Sequence, residues 1–176
     1  MAHAYSNLFK IPTTGIRLFS VYGPWGRPDM APMIFTKAIF AKKPIHIFNK
    51  GQMMRDFTYI DDVTEGIIKL VNKPATPDPN FNLNGPKPST SWVSHRIFNI
   101  GNQESIPLMK FIKILEDEIG IEAIKVYDEM QKGDIKKTAA STDLLEKWTG
   151  FKPNTPIEEG IKKFVNWYKF YYNLQN

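Results

Sequence analysis

"RLFSVYGPWGRPDM", residues 17–30, changes character half way along. Its first half is apolar, aromatic or β-branched, the composition of a strand with little water on either face. Its second half turns through Gly23-Pro24 and Gly26 and finishes polar, on Arg27, Pro28 and Asp29. It reads as the exit of a buried strand that opens onto a polar site.

Working outward, the strand extends back to Thr14, so "TGIRLFSV" (14–21) is expected to be buried on both faces. Residues 1–10 read as the last turns of a helix, left at Ile11-Pro12. "PMIFTKAIFAKK" (32–43) sets Ile34, Phe35, Ala38 and Ile39 at helical spacing, and "IHIF" (45–48) and "RDFTYI" (55–60) read as short strands. Asp62, with Glu65 three residues on, predicts a capping box opening a helix striped with Val63, Ile67, Leu70 and Val71. Residues 74–90 hold five prolines and Gly85 and predict a long surface loop. "HRIFNIG" (95–101) returns to strand. Pro107 precedes a helix with Leu108, Phe111, Ile112, Leu115 and Ile119 on one face, stopped by Gly120. "AIKVYD" reads as a strand and Thr142 to Lys147 as a short helix stopped at Gly150. Thr155-Pro156 with Glu158 is expected to cap a last helix, striped with Ile157, Ile161, Phe164, Val165, Tyr168 and Tyr172. The class is mixed α/β without an internal repeat. The opening strand, glycine-rich turn and helix of a nucleotide-binding sheet are not found.

Composition bounds the function. A chain of 176 residues, 42% hydrophobic and 23% charged, suits one domain with a sizeable core. No apolar run approaches the roughly 18 residues of a membrane span, and "MAHAYSNLFK" lacks a basic-then-apolar leader pattern. The absence of cysteine excludes disulfides and thiolate metal sites and fits a cytoplasmic location. The net charge of +5 suits anionic partners. The lysines, however, come as scattered pairs and read mostly as solvated surface. With no aromatic and basic stripe on one element, neither nucleic acid nor membrane is the expected partner.

Metal and nucleophile chemistry find little support. His3, His46 and His95 lie far apart in sequence, and one of Asp61-Asp62 is better used as a helix cap. There is no Gly-x-Ser-x-Gly elbow, no Gly-x-Gly-x-x-Gly or Walker loop, and no tyrosine followed four residues later by lysine. Arginine and glycine chemistry remains. Arg55, at a strand start just after Gly51, can fork onto a diphosphate or pair with Asp56 or Asp61, and both readings stay open. Arg27 follows a rigid turn and alone reads as an exposed loop charge. Asp134, in the polar turn "QKGDIKKT" (131–138), can accept from ribose hydroxyls.

Taken together, "TGIRLFSVYGPWGRPDM", "GQMMRDFTYIDDV", "IFNIGN", "QKGD" and "TPIEEGIKKFVNWY" resemble, in order and spacing, one family: the C-terminal half of the nucleotide-sugar epimerases, which are extended short-chain dehydrogenase/reductase enzymes. "VYGPWGRPDMA" and the proline-rich insertion resemble the UDP-glucuronate 4-epimerase branch. The fold this implies is the C-terminal part of a Rossmann-like sheet, incomplete and parallel, with a small mixed α/β substrate domain. Residues 1–30 would be a remnant of the dinucleotide-binding domain and 31–176 the substrate-binding domain, with 95–101 a strand of the first domain's sheet.

The resemblance implies an NAD-dependent isomerase in which hydride leaves the sugar and returns to its other face. The family's catalytic tyrosine and lysine precede the point where residue 1 falls, so the chain is expected to be inactive alone and not to hold NAD by itself. Implied roles are contact with NAD for Phe19 and with the sugar for Ser20. Arg27 would meet an anionic sugar or the phosphates, His46 and Phe48 uracil, and Arg55 the diphosphate. Gln131 and Asp134 occupy the family's Arg-x-Gly-Asp turn, with Gln131 in place of arginine and Lys132 a candidate to compensate. The expected partner is a UDP-sugar, with a homo-oligomer from the association hazard of unpaired strands. A dehydratase, decarboxylase or reductase of the same family, and a basic nucleic-acid or protein-binding module, are the alternatives. The strands at 14–21 and 96–100 are expected to pair with each other or with a second copy.

Overall fold

The computed structural model describes residues 1–174. In chain order the elements are α1 (Ala2–Phe9), β1 (Thr13–Leu18), β2 (Ser20–Tyr22), α2 (Ala31–Phe40), β3 (Pro44–Ile47), a 3-10 turn (Phe48–Gly51) and β4 (Met54–Tyr59). There follow α3 (Ile60–Asn72), β5 (His95–Ile100), β6 (Ser105–Pro107), α4 (Leu108–Ile119), β7 (Ile124–Tyr127), α5 (Asp143–Thr149) and α6 (Ile157–Tyr171). The strands form β1-β5, β2-β4-β6 and β3-β7, and every pair is parallel except β4-β6.

The long strand expected over 14–21 is two strands. At Phe19 the chain stops pairing with β5 and begins pairing with β4: Leu18 faces Ile100, and Ser20 faces Phe57. The two predicted orphan strands do pair with each other, in register from Thr13–His95 to Leu18–Ile100. Burial on both faces is not observed, because Ile16 is 36% and Leu18 50% exposed. An apolar run reports that its side chains avoid water, not which layer covers them.

The helical periods hold where the core is. All five apolar positions of α4 are buried, as are Ile157, Ile161, Phe164, Val165 and Tyr168 of α6; Tyr172 is exposed. These faces close on β2, β4 and α2 in one cluster that includes Phe57, Ile39 and Ile47. Fully buried Phe111 and Phe164 each stabilise that cluster by roughly 1.5–3 kcal/mol. A second cluster joins Val63 and Leu70 of α3 to Phe98 and Ile100 of β5 and Leu145 of α5. Ile67 and Val71 of the predicted α3 stripe face out.

Neither predicted cap forms. Helix α3 starts at Ile60, two residues before Asp62, with no side-chain cap, and Asp62 Oδ2 instead accepts from the Thr155 amide at 2.9 Å. That bond joins the start of α3 to the approach of α6, whose own N-cap is Pro156.

Candidate functional site

A cleft of about 900 Å³ opens at the end of β2, where the Gly23-Pro24-Trp25-Gly26 turn departs. The turn is forced at its first residue. Gly23 has φ 138°, and a Cβ there would stand 2.5 Å from Ile60 Cγ2, so only glycine fits. All eight residues singled out from the sequence line this cleft. Phe19 and Ser20 come from the joint and start of β2, Arg27 from the turn, His46 and Phe48 from β3 and its exit, and Arg55 from β4. Gln131 and Asp134 come from the segment after β7, and Lys132 does not line the cleft.

The polar end is assembled at long range. Arg55 Nη2 donates to Asp134 Oδ1 at 2.8 Å, and Nη1 donates to the Met54 carbonyl at 3.0 Å. The partner is thus neither Asp56 nor Asp61, the two adjacent choices. Asp134 reaches Arg55 because residues 136–138 run alongside β4: Met54 N donates to Lys136 O at 2.9 Å, and Thr138 N to Met54 O at 3.2 Å. Beneath them Asp56, fully buried, accepts from Asn102 N at 2.7 Å and Ala140 N at 2.8 Å. A buried carboxylate held by two amides fastens three separate stretches of chain.

At the mouth, Arg27 forks onto Asp29, with Nε to Oδ1 at 3.1 Å and Nη2 to Oδ2 at 2.5 Å. The guanidinium's hydrogen bond holds the Asp29 carboxyl below the usual carboxylate range. His46, also in the lining, has Nδ1 2.8 Å from Asp128 Oδ2, across the β3-β7 pair. Phe57, Met53 and Leu108 add apolar side chains to the lining. The cleft is thus lined by two guanidinium groups, each with a carboxylate partner, together with apolar side chains. Such a lining suits a molecule that carries anionic groups and a flat or apolar portion.

Sequence reasoning assigned no place in the site to Trp25, Asp29, Asp56 or Asp128. Asp29 stands two residues from Arg27 and was findable from that spacing; Asp56 and Asp128 act across 46–84 residues and have no local signal. Among the described residues there is no group of three or more His, Asp or Glu side chains able to hold a metal ion, and no helix long and apolar enough to cross a membrane.

Residues 1–101 match the NAD dependent epimerase/dehydratase family. The chain is 49% identical over 98% of its length to Protein CapI of Staphylococcus aureus, covering 52% of that protein. It is 46% identical over 96% of its length to a probable UDP-glucuronate 4-epimerase of Rhizobium meliloti, covering 50% of it. The fold superposes on the crystal structure of UDP-glucuronic acid 4-epimerase from Bacillus cereus in complex with UDP-glucuronic acid and NAD. The TM-score is 0.79 at 29% identity, over 97% of this chain and 49% of that one. The chain spans about half the length of the curated relatives it matches.

Proposed function

The chain belongs to the NAD dependent epimerase/dehydratase family, and from that premise we propose that its cleft holds a UDP-sugar, UDP-glucuronate in preference to UDP-glucose, for 4-epimerisation. The observation that carries the reading is Arg55 in the cleft with its fork only partly used. Among the described residues two of its five N–H donors are spent, on Met54 O and Asp134 Oδ1, and the other three are offered to diphosphate oxygens. Further support comes from the relatives: a probable UDP-glucuronate 4-epimerase at 46% identity and a structural neighbour that binds UDP-glucuronic acid.

In this reading Arg55 clamps the diphosphate and Gln131 adds an amide where an arginine is expected. Asp134 orients Arg55 and accepts from ribose. His46 and Phe48 border the uracil, Ser20 meets a sugar hydroxyl, and Arg27, pre-oriented by Asp29, faces the acid group. Binding energy gathered on the nucleotide positions the reacting sugar carbon. When bound, NAD supplies the hydride acceptor and donor. Toward it the chain offers Phe19 and neighbouring apolar lining but no glycine-rich turn at a helix N-terminus, so these residues do not fit the whole cofactor. The 176 residues contain no Tyr-x-x-x-Lys pair, so binding without turnover is expected of this chain alone.

Calorimetric titration tests the reading. UDP is expected to bind, and Arg55→Ala to weaken it about 10- to 100-fold, the loss of a charge-assisted fork, while uridine is unaffected. Failure of UDP to bind at millimolar concentration, or indifference to Arg55→Ala, overturns it.

A further inference from the structure

The Arg27–Asp29 fork fixes the guanidinium relative to its own turn, not the turn relative to the cleft, because the two residues are two apart and move together. Both side chains are exposed, and an exposed ion pair is a weak restraint. Something else must hold the turn. At one end Gly23 is seated under Ile60 and Tyr59. At the other end stands Trp25, whose backbone is left-handed at φ 60°, a conformation rare for a bulky side chain and kept only when the surroundings impose it. Its ring meets Tyr171 edge-on, at 4.9 Å and 73°, and lies 5.6 Å from Trp167. Trp167 and Tyr171 stack on each other at 5.3 Å and 17°, one turn apart on α6. Trp25 remains 73% exposed, so its contact with α6 adds little to the core.

We infer that Trp25 is a positioning residue for sugar selection: seated on the Trp167–Tyr171 stack, it holds Arg27 over the cleft mouth, so that acidic sugar nucleotides are favoured over neutral ones. The inference rests on the reading of Arg27 as the partner of the sugar's acid group. It assigns the last helix, which does not line the cleft, a part in choosing the ligand.

The test measures affinity for UDP, UDP-glucose and UDP-glucuronate on the full chain and on five variants. Arg27→Ala should lower the preference for UDP-glucuronate over UDP-glucose about tenfold, with UDP unchanged. Trp25→Ala, and Tyr171→Ala from the opposite side of the contact, should lower it about 3- to 10-fold, also with UDP unchanged. Trp25→Phe, which keeps a ring, should retain it within about twofold. The double variant Trp25→Ala/Arg27→Ala should be no worse than Arg27→Ala, since both act through one guanidinium. If Arg27→Ala lowers the preference but Trp25→Ala and Tyr171→Ala do not, or if these two weaken all three ligands equally, the positioning role is overturned and the reading of Arg27 stands. If Arg27→Ala leaves the preference intact, or no sugar nucleotide binds, that reading falls and takes the inference with it.

Discussion

Gly160→Ala should destabilise the protein even though alanine is the better helix former. Gly160 lies in the first turns of α6, where the change alone is worth about 1 kcal/mol in favour of alanine. A Cβ at this position would stand well inside contact distance of the Tyr22 hydroxyl, 2.7 Å from Tyr22 Cζ and 3.1 Å from Tyr59 Cδ2. Tyr22 cannot step aside. It is 2% exposed and walled by edge contacts with Phe57, Tyr59 and Phe111. Overpacking of a filled core costs about 1–3 kcal/mol, and this overlap belongs at the upper end. The net expectation is a loss of about 1–2 kcal/mol, or about 2–8 °C in Tm for a chain of this size. Tyr22→Phe should act the other way. The hydroxyl is buried with no hydrogen-bond partner among the described residues, so its removal should stabilise by about 0.5–1 kcal/mol. Burial, with Tyr59 and then the Asp62, Glu158 and Glu159 carboxylates, pushes the phenol far above its ordinary range, so neither effect should vary between neutral and mildly alkaline pH. In the double variant the Cζ overlap remains, so rescue should be partial, with a coupling of about 1 kcal/mol. Urea denaturation at constant m-value measures all four corners of the cycle. A Gly160→Ala variant at least as stable as the parent, or two changes that add within about 0.5 kcal/mol, would refute the close-approach argument.

Asp56→Ala should be among the most damaging single changes, at about 3–5 kcal/mol, because it strips partners from the half-buried Asn102 amide and the buried Ala140 amide. Asp56→Asn, which keeps one acceptor oxygen, should recover part of that loss in the same denaturation assay. His95 should titrate below the usual imidazole value of 6.5, because burial, then His3 and the N-terminus, disfavours its charged form. The unfolded chain then takes the proton first, so this contribution to stability is complete above about pH 6.5 and is lost as pH falls through the lower folded value. Proton NMR of the ring measures it, and titration at or above 6.5 would count against the His3–His95 packing.

Some of this architecture could be read directly along the chain. Helices α4 and α6 were legible because their apolar positions repeat at the helical period over three turns and the side chains do face one core. That the residues from Phe19 to Asp134 would share one cleft was legible as well, through the order of their motifs. What escaped depends on partners far away in sequence. Asp62 reads locally as a cap, yet its carboxylate is committed to Thr155, 93 residues on. Arg55 has two carboxylates within six residues and bonds neither, because residues 136–138 lie along β4 and bring Asp134 to it. The 14–21 run has no marker at Phe19 for a change of partner strand; that break exists only because β4 and β5 are placed elsewhere.

The Arg55–Asp134 bond also has a timetable. A ribosome emits the arginine 79 residues before the aspartate that will orient it. At cellular rates of synthesis the guanidinium waits roughly 4–16 s for its companion. Until Asp134 has been made, Arg55 lacks the carboxylate that orients it in the folded chain.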